Sequence, residues 1–315
     1  MAGKRFFLLL LTYAVLSPLP FWLGEYFTHV LNISFYYVIM AASWNLIAGY
    51  TGQFSLAHHA FAAMGGYTSA LLVIHFKIPI LMGIPLGGIL AGAVGYFLGT
   101  LCLGMRAIYL GLATWAFSES FRITLSMAYK LTRGDLGLST PSLLSAGEAF
   151  PYYYVFLLLA IACLFIMYKI IHSRIGYYMR SIRDDEEAAL AMGVDTVKWK
   201  RFVFVTSSFF AGIAGAFHAH YIGLLSPVSV DFNEMAILII MVIIGGLRTF
   251  AGPIIGAIFI ELLSELLREY GEIRMVLFAL MVIIIMRVNR DGIVGIGRKI
   301  LPKIKSHVPS NLHKA

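Results

Sequence analysis

The stretch DDEEAALAMGV, residues 184–194, lies in the only long charged loop of a chain whose other segments are strongly apolar. Its residues favour a helix, and the acidic side chains at its start suit a helix N-terminus. Basic residues flank it, with Arg183 before it and Lys198 after it. A charged helix between two apolar segments is well placed to dock a partner at a membrane surface. The docking interpretation predicts a protein powered by another subunit, and the simpler alternative is a solvated connecting helix.

Composition places the whole chain among membrane proteins. Of its 315 residues, 60% are hydrophobic and 13% are charged, and the mean hydropathy is +0.84. Soluble domains carry a charged share of about 25%. Apolar segments near the ~20 residues needed to cross a bilayer recur from end to end. Because long alternating strands are missing from the pattern, we predict an all-α integral membrane protein, a polytopic helical bundle rather than a barrel.

The chain divides into ten apolar segments, which we predict to form one transmembrane domain, 1–315. The third is polar enough to be re-entrant, and the last three are short enough to include half-helices. Lys4 and Arg5 before the first segment resemble the start of a signal peptide. Two prolines follow without a clear cleavage site, so we predict a retained helix. The segments are 6–23, 30–50, 53–74, 79–104, 107–128, 151–171, 202–224, 232–247, 250–268 and 273–287.

The placement of Lys and Arg predicts how these segments run. Basic residues concentrate at the N-terminus, in loop 174–201 and in the tail 288–315. A ten-span topology with a cytoplasmic N-terminus places all three inside, as the positive-inside rule requires, and loop 129–150 outside. The net charge of +8 follows from this distribution, so no nucleic-acid partner is expected. The basic residues that fall outside are few, namely Lys77, Lys130, Arg133, Arg268 and Arg274.

Sequence patterns that mark enzymes and metal sites do not occur. There is no P-loop, no G-x-S-x-G elbow and no H-E-x-x-H pair. The neighbours His58 and His59 point to different helix faces, and so do His218 and His220. Cys102 and Cys163 fall within apolar segments without a disulfide or zinc pattern. We therefore expect no catalytic residues, metal or cofactor, unless tertiary contacts bring the histidines together.

Polar residues within the apolar segments are the candidates for a translocation path, because such residues are costly at membrane depth. Glu119 and Arg122 stand at i, i+3 on one helical face, and a plain ion pair is the alternative to a path role. Four further candidates lie in and between the second and third segments, close to several glycines. The alternative to a path role for these four is helix packing. These four are Asn45, Gln53, Ser55 and His58.

Several blocks of the chain resemble one family. Glu187-Ala188-Ala189-x-x-x-Gly193 is similar to the E-A-A-x-x-x-G loop of binding-protein-dependent ABC importer permeases. The wider stretches 49–72, 106–119, 182–223 and 243–257 look like the permeases of branched-chain amino acid importers, closest to their M-type subunit. The chain departs from the family pattern at several positions. Ala57 and Arg248 stand where Gly is common, and His59 stands where a small residue is common. At the end of the longer importer motif, near I-x-L-P, the chain instead has Val203, Val205 and Thr206.

The resemblance implies an ATP-driven importer. The chain would pair with a homologous H-type permease subunit in a bacterial or archaeal inner membrane, multi-pass and in contact with lipid. An extracytoplasmic binding protein would deliver branched-chain amino acids, although relatives carry urea or short amides. Outside this family, a secondary transporter and a membrane enzyme are the alternatives. Two cytoplasmic ATP-binding subunits would dock on a coupling helix, 184–197, through Glu186, Glu187, Ala188, Ala189 and Gly193.

Overall fold

The computed structural model describes residues 17–102, 105, 107–144, 149–271, 273–289 and 292–295. The described chain is helical along most of its length. A π-helical turn, Leu46–Tyr50, extends the first helix. The helices are α1 Leu19–Asn45, α2 His58–Phe76, α3 Ile80–Cys102, α4 Ala107–Met127, α5 Tyr129–Thr132, α6 Ala149–Ile171, α7 Arg174–Asp184, α8 Glu186–Ala191, α9 Thr196–Ile222, α10 Phe232–Gly245, α11 Ala251–Leu266 and α12 Ile273–Val288.

Four of the described helices are long and apolar enough to cross a bilayer, by length and composition. They are Leu19–Tyr50, Ile80–Leu101, Ala149–Ile171 and Thr196–Ile222. α2 and α4 are also long but more polar, whereas α10, α11 and α12 have only 14 to 16 residues. The first predicted segment, 6–23, lies mostly outside the described residues. The count of ten spans therefore stays a prediction.

Helix boundaries differ from the sequence-based ones at three junctions. Residues 24–29, which were predicted to separate the first two segments, lie within α1, whose backbone is non-helical only at Gly24, with φ 75°. The third segment was predicted from residue 53, but residues 51–57 are not helical and α2 begins only at His58. The seventh was predicted from residue 202, but α9 already begins at Thr196, because the Asp195 carboxylate accepts a hydrogen bond from the amide of Lys198 and caps the helix. Hydropathy reports neither side-chain capping nor extended backbone.

The surface of the bundle is apolar to an extent that is unusual for a soluble protein. Exposed side chains on α3 and α12 are large and apolar, as Phe97, Leu101 and Ile283 illustrate. Buried positions include many polar groups, among them Ser43, Asn45 and His58. An apolar exterior of this extent suits contact with lipid.

Small residues set the spacing between α2, α3 and α9. A Cβ added to Gly65 on α2 would overlap the backbone of Gly212 on α9, and one added to Gly87 on α3 would overlap the backbone of Gly65. Helices without side chains at the contact approach closely and gain van der Waals contact, which is the main attraction between helices in lipid. Gly88 and Gly95 on α3 face α9 equally closely, because an added Cβ would lie less than 3.0 Å from the side chains of Ile213 and Ser208.

A short β-ribbon is the one departure from the predicted all-α structure within the described residues. Leu138–Ser139 pairs antiparallel with Leu224–Leu225. Next to it the Thr140 hydroxyl donates to the Ala219 carbonyl oxygen at 2.6 Å. The ribbon fastens the loop after α4 to the end of α9, so two segments predicted to lie outside contact each other.

Candidate functional site: the coupling segment and the polar interior

The predicted docking element is a short helix between two longer ones. Each of the three begins at a capping side chain: Ser173 for α7, Asp185 for α8 and Asp195 for α9. Asp185 adopts extended backbone, with φ −159° and ψ 108°, and accepts a hydrogen bond from the amide of Ala188 at 3.0 Å. The prediction of one continuous coupling helix, 184–197, is therefore wrong. Asp185 breaks it, because the residue caps a new helix.

Gly193 ends α8 in a left-handed conformation, with φ 83°. Its amide donates to the Leu190 carbonyl oxygen at 2.9 Å, and the amide of Val194 donates to Ala189 at 3.0 Å. These bonds satisfy carbonyl groups at the helix end, and glycine adopts such a backbone most readily. A backbone requirement thus accounts for the glycine of the E-A-A-x-x-x-G pattern.

The exposed face of α8 differs from the face that the motif suggests. Ala189 is only 4% exposed and packs on its own chain, whereas Leu190 is 52% exposed and Met192 is 85% exposed. Glu186 forms an ion pair with Lys200 at 2.5 Å, which holds α8 to α9. Ala189 is therefore unavailable to a partner. Leu190 and Met192, which the sequence analysis did not single out, form an exposed apolar pair beside Glu187 and Ala188.

The coupling segment, residues 174–201, is attached directly to the apolar helices α1 and α6. Arg183 Nη1 donates to the carbonyl oxygen of Gly49 at 3.3 Å, in the π-helical turn that extends α1. Arg180 Nη2 donates to the carbonyl oxygen of Ile171 at 2.8 Å, at the end of α6. Displacement of the coupling segment would therefore act on two apolar helices through guanidinium–carbonyl hydrogen bonds.

Asn45 joins two distant parts of the chain. Its Nδ2 donates to the carbonyl oxygen of Thr249 at 3.0 Å, and its Oδ1 accepts from the amide of Arg248 at 3.2 Å. Arg248 has φ 71°, a left-handed backbone that favours glycine. This backbone explains why glycine suits the position, and Asn45 holds the arginine there. The structure thus assigns Asn45 a structural contact with the turn between α10 and α11.

The other three candidates around α2 are also buried in structural contacts. Ser55 offers its carbonyl oxygen to Trp44 Nε1 at 2.8 Å, and His58 Nε2 lies 2.8 Å from the Ser43 hydroxyl. The Gln53 amide donates to the carbonyl oxygen of Ile47 at 3.1 Å. None of these three, nor Asn45, lines the polar cavity described below.

Glu119 and Arg122 form the ion pair that their spacing predicts, with 2.5 Å between Oε1 and Nη2. Both side chains are about one-third exposed, at 35% and 32%, so the pair lies on an outer face of α4. The other four candidates are buried. A bidentate pair of this kind neutralises both charges locally. Its role in a translocation path stays a prediction.

A cavity of about 380 Å³, lined by both polar and apolar side chains and called the polar cavity below, lies among α1, α2, α9, α10, α11 and α12. On one side the Tyr36 ring stacks on His218, with centroids 4.2 Å apart, and the Tyr37 hydroxyl donates to Glu234 at 2.9 Å. Its lining is Ile33, Tyr36, Tyr37, His59, Ala62, Ala63, Gly215, His218, Leu224, Leu225, Ser226, Val228, Ser229, Glu234, Ile237, Glu261, Ser264, Glu265, Arg268 and Arg274.

A second cavity of about 670 Å³ adjoins the first. The two share Val228, Glu234, Ile237, Arg268 and Arg274, and the second adds Asp231 and Gly271 among others. Its added residues belong to the segments that the predicted topology places outside. The polar space thus continues from the interior of the bundle toward that end of the helices.

Sequence reasoning missed this cavity. The only available signals were single polar residues inside apolar segments: His59, which departs from the family pattern, and Glu234 and Glu261. The histidines do not converge on a metal, since the described residues contain no group of three His, Cys, Asp or Glu side chains arranged to hold one. His220 instead contacts the Ser69 hydroxyl at 2.8 Å and the Pro141 carbonyl oxygen at 2.7 Å.

Long apolar helices and an apolar exterior indicate an integral membrane protein. A comparison with family models adds the particular family. Residues 26–286 match the model described as branched-chain amino acid transport system / permease component, and the chain belongs to this family.

Curated relatives agree with this assignment. The chain is 28% identical to the high-affinity branched-chain amino acid transport system permease protein LivM of Salmonella typhimurium, over 96% of this chain and 77% of the relative. The protein of the same description from Escherichia coli is 27% identical, over 96% and 76%. A probable branched-chain amino acid transport permease protein LivM of Methanocaldococcus jannaschii is 23% identical, over 74% and 79%. No solved structure matches the chain.

Proposed function

We propose that the chain is the permease subunit of an ATP-driven ABC importer that carries branched-chain amino acids across a bacterial or archaeal inner membrane. It spans that membrane several times beside a homologous permease subunit. Two cytoplasmic ATP-binding subunits supply the energy, and an extracytoplasmic binding protein supplies the substrate. The family description and the printed names of the relatives support the substrate class.

The observation that carries the coupling role is the exposed apolar surface at the end of α8. Leu190 lies in the last turn of α8 and Met192 follows it as the C-cap residue, and hydrogen bonds from Arg183 and Arg180 connect loop 174–201 to α1 and α6. Exposed leucine and methionine on a firmly held helix suit burial in a groove of another protein. In this proposal, closure of the ATP-binding subunits moves α8 and biases the permease between inward-open and outward-open arrangements.

The test places a charge in this contact. Leu190→Glu and Met192→Glu should each reduce copurification of the ATP-binding subunits and lower substrate-stimulated ATP hydrolysis by about tenfold or more. Burying a leucine contributes about 1.5–3 kcal/mol, and a carboxylate in its place adds a desolvation cost. Leu136→Glu, the same change at an exposed position in the loop predicted to lie outside, should leave both quantities unchanged.

Two results would contradict the coupling role. Normal copurification and normal stimulation in both Glu variants would show that α8 is a plain connector. Uptake that persists without ATP and stops when the proton gradient collapses would instead support a secondary transporter.

A further inference from the structure

Three charged side chains in the lining of the polar cavity form no ion pair among the described residues: Glu234, Glu261 and Arg274. Glu234 already accepts a hydrogen bond from the Tyr37 hydroxyl at 2.9 Å, so Glu261 and Arg274 are the acid and the base left for a ligand. Glu261 lies on α11 and Arg274 lies on α12. Among the described residues, neither side chain lies within ion-pair distance of an opposite charge, whereas Arg268 at the same end is paired with Glu265 at 3.2 Å. Arg274 makes one long hydrogen bond, 3.4 Å to the Ser264 hydroxyl. Both side chains are partly buried, and a charge that is partly withdrawn from water gains from a partner of opposite charge.

The rest of the lining is amphipathic. Ile33, Ala62 and Ile237 supply an apolar wall from three different helices. His59 supplies an unused polar group, because its Nε2 is buried without a hydrogen-bond partner among the described residues and the residue is only 3% exposed. A cavity of about 380 Å³ lies within the range of roughly 300–1,000 Å³ typical of small-molecule sites.

We propose that this cavity is a binding station for a zwitterionic aliphatic amino acid on its way through the permease. The substrate ammonium group pairs with Glu261, the substrate carboxylate pairs with Arg274, and the aliphatic side chain packs against Ile33 and Ile237. His59 Nε2 is available for one further hydrogen bond to the substrate. The inference rests on the proposed function and adds to it the residues that recognise the substrate.

This arrangement favours a zwitterion over the neutral alternatives. Urea and short amides need hydrogen bonds but no full charges, so they would leave both Glu261 and Arg274 uncompensated. A zwitterion satisfies both charges together, since it carries one ammonium and one carboxylate. A charge-assisted hydrogen bond at each end contributes more than a neutral one. The charge pattern therefore selects the class of substrate, and the apolar wall selects its side chain.

The experiment uses the complete complex with its partner subunits and binding protein, in liposomes. Glu261→Gln and Arg274→Gln should each lower ATP-dependent uptake of radiolabelled leucine by at least about tenfold, the equivalent of ~1.4 kcal/mol. Basal ATP hydrolysis should persist, which shows that the variants fold and assemble. The matched controls are Glu269→Gln and Lys130→Gln, both at exposed positions outside the cavity, and they should transport normally.

A photoreactive leucine carrying a diazirine gives a second, direct measurement. It should label peptides that contain Ala62 or Ile237 in the unaltered complex, and both Gln variants should lose this labelling. Excess leucine should prevent labelling, whereas leucinamide, 4-methylpentanoate and urea, which each lack one or both charges, should not. As a third variant, Ile33→Trp keeps both charges and narrows the cavity. It should reduce uptake of leucine more than uptake of alanine.

The outcomes separate this inference from the proposed function. Normal uptake and labelling in both Gln variants would overturn the binding station and leave the importer standing. Competition by leucinamide and urea as effective as that by leucine would also overturn it. Specific labelling of the cavity in an unaltered complex whose uptake needs no ATP would overturn the importer and leave the binding station standing.

Discussion

At the scale of single residues, spacing along the chain predicts the Glu119–Arg122 pair, but no local pattern predicts the contacts of Asn45. The Glu119–Arg122 contact is local, because two side chains at i, i+3 meet on one helix face in any helix. Asn45 contacts Thr249 and Arg248, which are more than 200 residues away. The sequence marked Asn45 as a polar residue at membrane depth, and the fold decided what it contacts.

A pair of substitutions tests the Asn45 contact. Arg248→Gly should raise the midpoint of thermal unfolding in detergent, because a left-handed backbone costs a non-glycine residue on the order of 1 kcal/mol, and the Arg248 side chain is exposed. Asn45→Ala should lower the midpoint, since it leaves the partly buried Arg248 amide and Thr249 carbonyl without this partner, and a net hydrogen bond contributes about 0.5–1.5 kcal/mol. An unchanged midpoint in Asn45→Ala would contradict the proposed contact with the turn.

At the scale of elements, helix positions follow from hydropathy, whereas helix breaks follow from capping. Asp185 and Asp195 each accept a backbone amide and so divide the coupling segment into α7, α8 and α9. The acidic cluster at 184–187 indicated a helix start in the right place. Which of the four adjacent acidic residues caps the helix depends on the backbone geometry, and the sequence of this cluster does not specify that geometry.

Two glycine substitutions test how far packing overrides helix propensity. Gly→Ala inside a helix is favourable by about 1 kcal/mol on propensity alone. Gly65→Ala should nevertheless destabilise the bundle, because the new Cβ would overlap the backbone of Gly212. Gly92→Ala should be tolerated, since the nearest atoms would lie at 3.5 Å, an ordinary contact. Detergent-solubilised thermal unfolding compares the two, and equal midpoints would show that α2 and α9 are not closely packed in the membrane.

At the scale of the whole molecule, segments that the charge distribution places on one side contact each other. The β-ribbon joins 138–139 to 224–225, both predicted to lie outside. Arg183 contacts Gly49, and Arg201 Nη1 donates to the Tyr96 hydroxyl, all predicted to lie at the inner end. If the predicted side of the membrane were wrong for one of these segments, it would also have to be wrong for the segment that it contacts.

Cysteine labelling in intact cells tests this topology. With Cys102 and Cys163 replaced by alanine, Ser139→Cys should react with a membrane-impermeant maleimide added outside. Lys198→Cys should react only after the membrane is permeabilised, because the positively charged loop that contains it is predicted to be cytoplasmic. Both positions are exposed in the fold, so accessibility depends on the side of the membrane. Labelling of both from the same side would contradict the predicted orientation.

The class of protein, its family and the position of the coupling segment follow from the sequence by itself. Each depends on composition, on apolar runs of about 20 residues or on short motifs, and all of these are properties of a local window. Within the described residues, the all-α prediction holds apart from the two-residue strands that pair between distant loops.

Tertiary structure decided which side chains face a partner, a substrate or their own chain. Ala189 and Leu190 are neighbours within one motif, yet the first is buried against its own chain and the second is exposed. Ile33, His59, Ile237, Glu261 and Arg274 come from five helices and meet at one cavity. Their proximity depends on how the helices pack, and packing in turn depends on close contacts between glycines far apart in the chain. Local sequence patterns carry no information about such distances, so the cavity emerged only from the folded chain.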